Sequence, residues 1–159
     1  MSDSKFKTMR HIETVRNYLN CVISEVLLRQ EQHDQTKLQS PEVEIFEEYT
    51  PKLKNSDYGS DEYNRFLAEM KVALNHHYKH NRHHPEHFKN GISGMNLIDL
   101  IEMMCDWKAA SMRHKTGDIY KSIDINQERF GYGDELKTIL KNTADKIISM
   151  KPFNVAEES

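Results

Sequence analysis

The sequence predicts an all-α protein, folded as a single-domain bundle of six or seven helices. Three observations carry this expectation. Strand-type alternation of apolar and polar residues is almost absent from the 159 residues. Apolar residues recur instead at spacings of three and four over several long stretches, the period of a helix with one buried face. Residues that start helices, Ser and Asp above all, stand ahead of several of those stretches.

The elements follow in order. From about Lys7 to Arg29 the residues Ile12, Val15, Tyr18, Leu19, Val22, Ile23, Val26 and Leu27 form one apolar face, with His11 on it. His33 to Lys37 falls at the end of this helix or in the next turn. Ser40-Pro41-Glu42 reads as a helix start, with Ser as N-cap and Pro at the first helical position. The short helix that follows, Pro41 to Tyr49, is expected to end near Pro51, and Lys52 to Gly59 reads as a loop. Ser60 or Asp61 caps a helix to about His80, with Tyr63, Phe66, Leu67, Met70, Ala73 and Leu74 inward. Pro85 opens another short turn. Gly91 and Gly94 loosen the chain before an apolar helix from about Asn96 to His114. Asp118 caps a helix to about Phe130, and Asp134 caps the last, through about Met150. Residues 1–150 thus form the expected domain, and 151–159 a frayed tail.

Composition narrows the function classes. Apolar residues make up 37% and charged residues 30%, and the net charge is −3. No global basic field exists to attract a nucleic-acid duplex, although a nucleotide needs only a local basic pocket. Cys21 and Cys105 form no CxxC pair, which fits a reducing compartment. The polar N-terminus lacks a signal-peptide pattern, and no apolar run approaches the roughly 20 residues that span a bilayer. A cytoplasmic protein, without a membrane partner, is expected. The oligomeric state is left open.

Six of the nine histidines lie within His76 to His87, at positions 76, 77, 80, 83, 84 and 87. Neutral imidazole is the commonest protein ligand for transition metals. Not all six can be ligands. Helical spacing puts His77 and His80 on one face with His84 a turn further on, and rotates His76 away, where a hydrogen bond can orient a ligand. His77 and His84 are the preferred ligands, then His87; His83 competes with His84, and His114 needs no role. Upstream, the doublet His33-Asp34 offers one nitrogen and two carboxylate oxygens, with Lys37 a turn beyond to meet a phosphate or the carboxylate. Downstream, Asp106 sits in an apolar helix, where a carboxylate is costly unless paired or metal-bound. A salt bridge or a wet face shared with Asp99 and Arg113 would serve equally. Lys37, Arg82, Lys108 and Arg113 are candidate phosphate binders, or else surface charges. Trp107, Tyr58 and Tyr63 are assigned to core packing ahead of base stacking. Glu42, Glu69, Glu86 and Glu102 are candidate acids or bases, most of them solvated.

This residue order resembles the HD-domain superfamily of metal-dependent phosphohydrolases. That family has a histidine, a His-Asp doublet and a distant aspartate on a helical fold, matched here by His11, His33, Asp34 and Asp106. His33 to Lys37 also resembles its His-Asp-x-x-Lys form. Two-metal members add histidines in the interval that here holds His76 to His87. The resemblance implies one or two divalent ions (Mn, Fe, Co, Ni or Zn). The first would be held by His11, His33, Asp34 and Asp106, and the second by bridging Asp34 with His77 and one of His83, His84 or His87. It also implies hydrolysis of a nucleotide or related small phosphate ester, with Asp34, Lys37 and Lys108 as catalytic residues. No Gly-Tyr-Pro signature follows the histidines, so the cyclic-dinucleotide subclass is not indicated. Alternatives are a di-iron oxygenase of similar fold and a non-catalytic, metal-stabilised protein that sequesters a ligand. Over most of its length the chain also resembles an uncharacterised family of phage and bacterial proteins, in the stretches His33 to Glu42, Tyr49 to Lys54, His76 to His87 and Asp106 to Ala110. That places it in a bacterium or a phage-infected host cell.

Overall fold

A computed structural model describes residues 3–56, 60–113 and 117–150, with the side chain of Lys54 left aside. Among the described residues it is all-α, with seven α-helices and no strand. The expected tail, and the expected roles of Tyr58 and His114, lie outside the described residues. The chain divides into two compact units, Met1–Asn81 and Arg82–Ser159.

In the first unit, α1 is Asp3–Gln32, α2 is Glu42–Asn55, α3 is Asp61–Glu69 and α4 is Lys71–His80. α1 departs most from expectation. Its apolar face was expected to be buried, yet no described residue of this 30-residue helix is buried, His11 included. The helix ends where Asp34 takes the left-handed conformation, φ 57°. Glycine normally fills that position past a helix end, because a Cβ costs energy there. A 3-10 turn, Gln35–Leu38, carries the chain towards α2.

Three sequence expectations need correction in this unit. Pro41, not Ser40, occupies the N-cap of α2, with no side-chain cap bond. α2 runs through Pro51 to Asn55; the proline removes one late hydrogen bond without ending the helix. The single helix expected to His80 is two helices. Its break is at Met70, which closes α3 and opens α4 while buried in the unit's interior. Ser60 caps α3, its hydroxyl accepting from the Tyr63 amide at 3.1 Å. Ala73 and His77 form the buried face of α4.

The second unit holds α5 (Leu97–Met112), α6 (Ile119–Phe130) and α7 (Asp134–Ser149), after 3-10 turns at Pro85–His87 and Gly91–Gly94. Asn96 and Asp99 form a capping box at the start of α5. Asp118 caps α6, and Gly131, φ 67°, closes it. α7 starts after Gly133, so the expected cap Asp134 is its first helical residue; it accepts instead from the Gln127 side chain. The three helices pack around Ile92, Met103, Met104, Ile119, Ile123 and Leu140. The Tyr132 hydroxyl donates to the Ile123 carbonyl at 2.6 Å, and burial pushes its pKa up to about 12.

Candidate metal centre

Helical spacing puts His77 on the buried stripe of α4, and the tertiary structure supplies what it meets. Glu42, in the first turn of α2, is 0% exposed, and His77 is 2% exposed. His77 Nδ1 lies 2.8 Å from Glu42 Oε2. His76, on the adjacent side of α4, puts its Nδ1 2.7 Å from the other oxygen, Oε1. A carboxylate only accepts, so each ring donates its Nδ1 proton to Glu42. Burial alone would raise the Glu42 pKa, but hydrogen bonds from His76, Thr36 and His77 outweigh it and hold the carboxyl below its usual range. Asn81, at the end of α4, donates to the His77 carbonyl and to Thr36 Oγ1, both at 2.8 Å. Phe46 meets the His77 ring edge-on.

With Nδ1 turned to Glu42, His77 Nε2 faces Asp34, whose Oδ1 is 3.3 Å away. The other Asp34 oxygen is 2.6 Å from Lys37 Nζ and 3.7 Å from His33 Nε2. Burial, and next the charge of Lys37, pull the His77 pKa below the usual value, outweighing Asp34 and Glu42, which pull it up. A neutral ring whose proton is on Nδ1 presents its Nε2 lone pair to a carboxylate oxygen. Two such electron-rich atoms repel unless a cation lies between them. A carboxylate that fixes a histidine tautomer and turns the other nitrogen outwards is the usual support of a histidine metal ligand.

In the second unit His83, 1% exposed, puts Nδ1 3.0 Å from Glu102 Oε1 on α5. His84 packs its half-buried ring against His83, with centroids 4.2 Å apart. Asp99, Glu102 and Asp106 follow one another at three and four residues along α5, so the sequence puts three carboxylates on one helical face. Asp106 is half-buried.

Histidine and carboxylate groups that could hold a metal ion are therefore present. Their members are His33, Asp34 and His77 in the first unit and His83, His84, Glu102 and Asp106 in the second. Among the described residues neither His11 nor His87 belongs to such a group. His11 stands on the exposed α1, and His87 is half-buried with its ring against Phe88. His80 does not share the buried face with His77: it is exposed, and its Nδ1 meets the His76 carbonyl.

Among the expected phosphate binders, Lys37 is engaged with Asp34. Arg82 grips Asp99 by two 3.0 Å bonds, which commits one edge of its guanidinium to a carboxylate. Lys108 is half-buried on α5, and Arg113 is exposed at its end. Of the candidate acids, Glu42 is not solvated but buried as the anchor of two histidines. Its adjacency to Pro41 carried no sign of this. Glu102 was equally unmarked, although its place on the face of Asp99 and Asp106 was legible. Thr36 and Asn81 were missed because the hydrogen bond that joins them spans 45 residues of sequence.

The fold and these donors define an all-α protein with histidine and carboxylate groups able to take a metal ion. The chain belongs to a family of unknown function (DUF5662), whose model matches residues 1–150. No curated protein and no solved structure matches it. Among the described residues, no helix is long and apolar enough to cross a membrane.

Proposed function

We propose that this protein is a metal-dependent phosphohydrolase acting on a nucleotide or a related small phosphate ester. One observation carries the metal part: a buried His77, its Nδ1 bound to Glu42, turns Nε2 towards Asp34 at 3.3 Å. His33, Asp34 and His77 are the proposed ligands of the first unit. The residue order that resembles HD-domain phosphohydrolases supports the reaction class. His84 and Asp106, in the second unit, stay in the ligand set on that residue order and on their donor chemistry. His11 and His87 are dropped from it.

A divalent ion, when bound, acidifies water and neutralises charge on phosphoryl oxygens. The chain's own groups prepare for that. Glu42 holds His77 in one tautomer and orientation, so its nitrogen needs no reorganisation to act as donor. Lys37, 2.6 Å from Asp34, balances the carboxylate and can exchange it for a phosphate oxygen. Lys108 and Arg113 are the remaining cations proposed to meet the phosphate.

The test pairs metal content with turnover. Elemental analysis of purified protein is expected to find one or two divalent ions per chain, and a panel of nucleotides and phosphodiesters with Mn, Fe, Co, Ni or Zn is expected to reveal hydrolysis. Asp34→Gly sharpens it, because glycine suits the left-handed backbone there and spares the fold. It should fold at least as stably as the wild type and lose the metal. Full metal occupancy in Asp34→Gly would overturn the ligand assignment. Metal-loaded, folded protein that turns over nothing while retaining a small molecule would replace the enzyme with a ligand-sequestering protein. Oxygen consumption by an iron-loaded form would favour the oxygenase.

A further inference from the structure

α1 concentrates exposed apolar surface as no other element does. Of the nineteen large hydrophobic residues exposed among the described residues, ten lie on this one helix. They are not scattered. Exposed Ile12, Val15, Leu19 and Val22, continued by half-buried Val26, recur at spacings of three, four, three and four, a spacing that suits a two-helix seam. Leu19, at the middle of the series, is 56% exposed.

The pattern is close to symmetric about Leu19. If a second copy of α1 runs in the opposite direction with Leu19 at the centre, Ile12 faces Val26 and Val15 faces the neighbouring Ile23, while Val22 falls opposite Arg16, whose aliphatic stem can lie along it. The charges favour the same direction. The N-terminal half of α1 carries Lys5, Lys7, Arg10 and Arg16 against Asp3 and Glu13, while the C-terminal half carries Glu25 and Glu31 against Arg29. An antiparallel pair places the more basic half beside the more acidic one, whereas a parallel pair places like beside like. From Phe6 to Leu27 the stripe runs for roughly 30 Å of helix. Two such stripes together reach the order of 1,000 Å² that a specific interface requires. A two-fold antiparallel pair also closes on itself, leaving no exposed end to propagate.

From this we infer that α1 is a self-association helix, pairing antiparallel with α1 of a second copy of this chain through a seam centred on Leu19. The pairing does not depend on the proposed activity. It does bear on the metal ligands, because α1 ends at Gln32 and the next two residues are His33 and Asp34. A helix fixed along its length by a partner holds those ligands at a fixed end.

Sedimentation velocity on the full-length protein tests this directly. The wild type is expected to be a dimer, and Leu19→Asp to weaken self-association about thirtyfold or more, with circular dichroism unchanged. Asn17→Asp, on the opposite side of α1, should leave the dimer intact. A wild type that stays monomeric as concentration rises, or a dimer indifferent to Leu19→Asp, would overturn the proposal. Direction is read separately by disulfide trapping in a Cys21→Ser, Cys105→Ser background. Leu19→Cys should crosslink and Val26→Cys should not; efficient trapping through Val26→Cys would mean a parallel pair and refute the antiparallel seam.

Discussion

The two units of this chain are held together by different physics. Buried residues of the second unit are mainly apolar, with Met103, Met104, Ile119, Ile123, Leu140 and Ala144 packed between three helices and the polar pairs Arg82–Asp99 and His83–Glu102 at their own places on the unit. Among its described residues the first unit buries only Met70 and Ala73 of its apolar side chains, yet it buries Glu42, His77 and Asn81. One interior gains its stability from area removed from water. The other depends on a polar network that stabilises only while every member is satisfied. A protein that spends interior space on a carboxylate and a histidine gains little stability from doing so, since apolar side chains of similar volume usually serve as well or better. Among the described residues the first unit thus gives most of its interior to polar groups, whereas the second sets buried His83 and Asp99 beside a mainly apolar core.

The contrast can be broken most forcefully at its two centres. Glu42→Ala leaves His76 and His77 without their common acceptor, and is expected to cost about 2–5 kcal/mol, from two ring donors left unsatisfied at about 1–3 kcal/mol each. Ile123→Ala in the second unit should cost about 2–5 kcal/mol, through lost transfer energy and a cavity. The two differ in what restores stability. Saturating Mn or Zn should recover part of the loss in Ile123→Ala and little in Glu42→Ala, since the latter also disorients His77. Chemical denaturation with and without metal reads both. Equal rescue of the two variants would mean that Glu42 has no part in metal binding.

A milder perturbation is metal alone. Any ligand that binds only the native state adds stability of about 2.7 kcal/mol when present at a hundred times its dissociation constant. Amide exchange should show that gain in α2 and α4, where Glu42 and His77 lie. Protection gained only in α6 and α7 would place the ion elsewhere.

Acidification is expected to have the smallest effect. The His77 pKa is lowered in the folded protein, so the unfolded chain binds more protons wherever pH lies between the two values. The stability this contributes is fully present above the ordinary histidine value of about 6.5 and is lost as pH falls through the folded value. The Glu42 carboxyl, also lowered, adds a second loss below about 4.5. Metal-free protein should therefore weaken in two steps on acidification, with the first step absent in His77→Phe. A flat stability profile from pH 7 to 5 would show that the ring is not held neutral.

Much of this was legible in the sequence, at the level where structure is local. The period of three and four gave the helices, and Asp118, Ser60 and the residues around Asn96 and Phe130 marked their ends closely, because caps and turns depend on neighbours. The helix across Pro51 and the break at Met70 were not legible, since each is decided by packing against other elements. The donors His33, Asp34, His77, His84 and Asp106 stood out by residue type and order. What orients His77 did not, for Glu42 lies 35 residues away and looked like any acid at a helix start.

By itself, then, the sequence determined the helical class and most of the candidate metal-donor side chains, because helix period and ligand chemistry are properties of neighbours and of residue type. Tertiary structure alone decided which faces are buried. The apolar stripe of α1 and the apolar stripe of α4 obey the same spacing rule, yet the first lies exposed and the second is buried, down to His77. Periodicity states that a helix has a face to cover; only the elements that reach it determine whether it is covered, and by what.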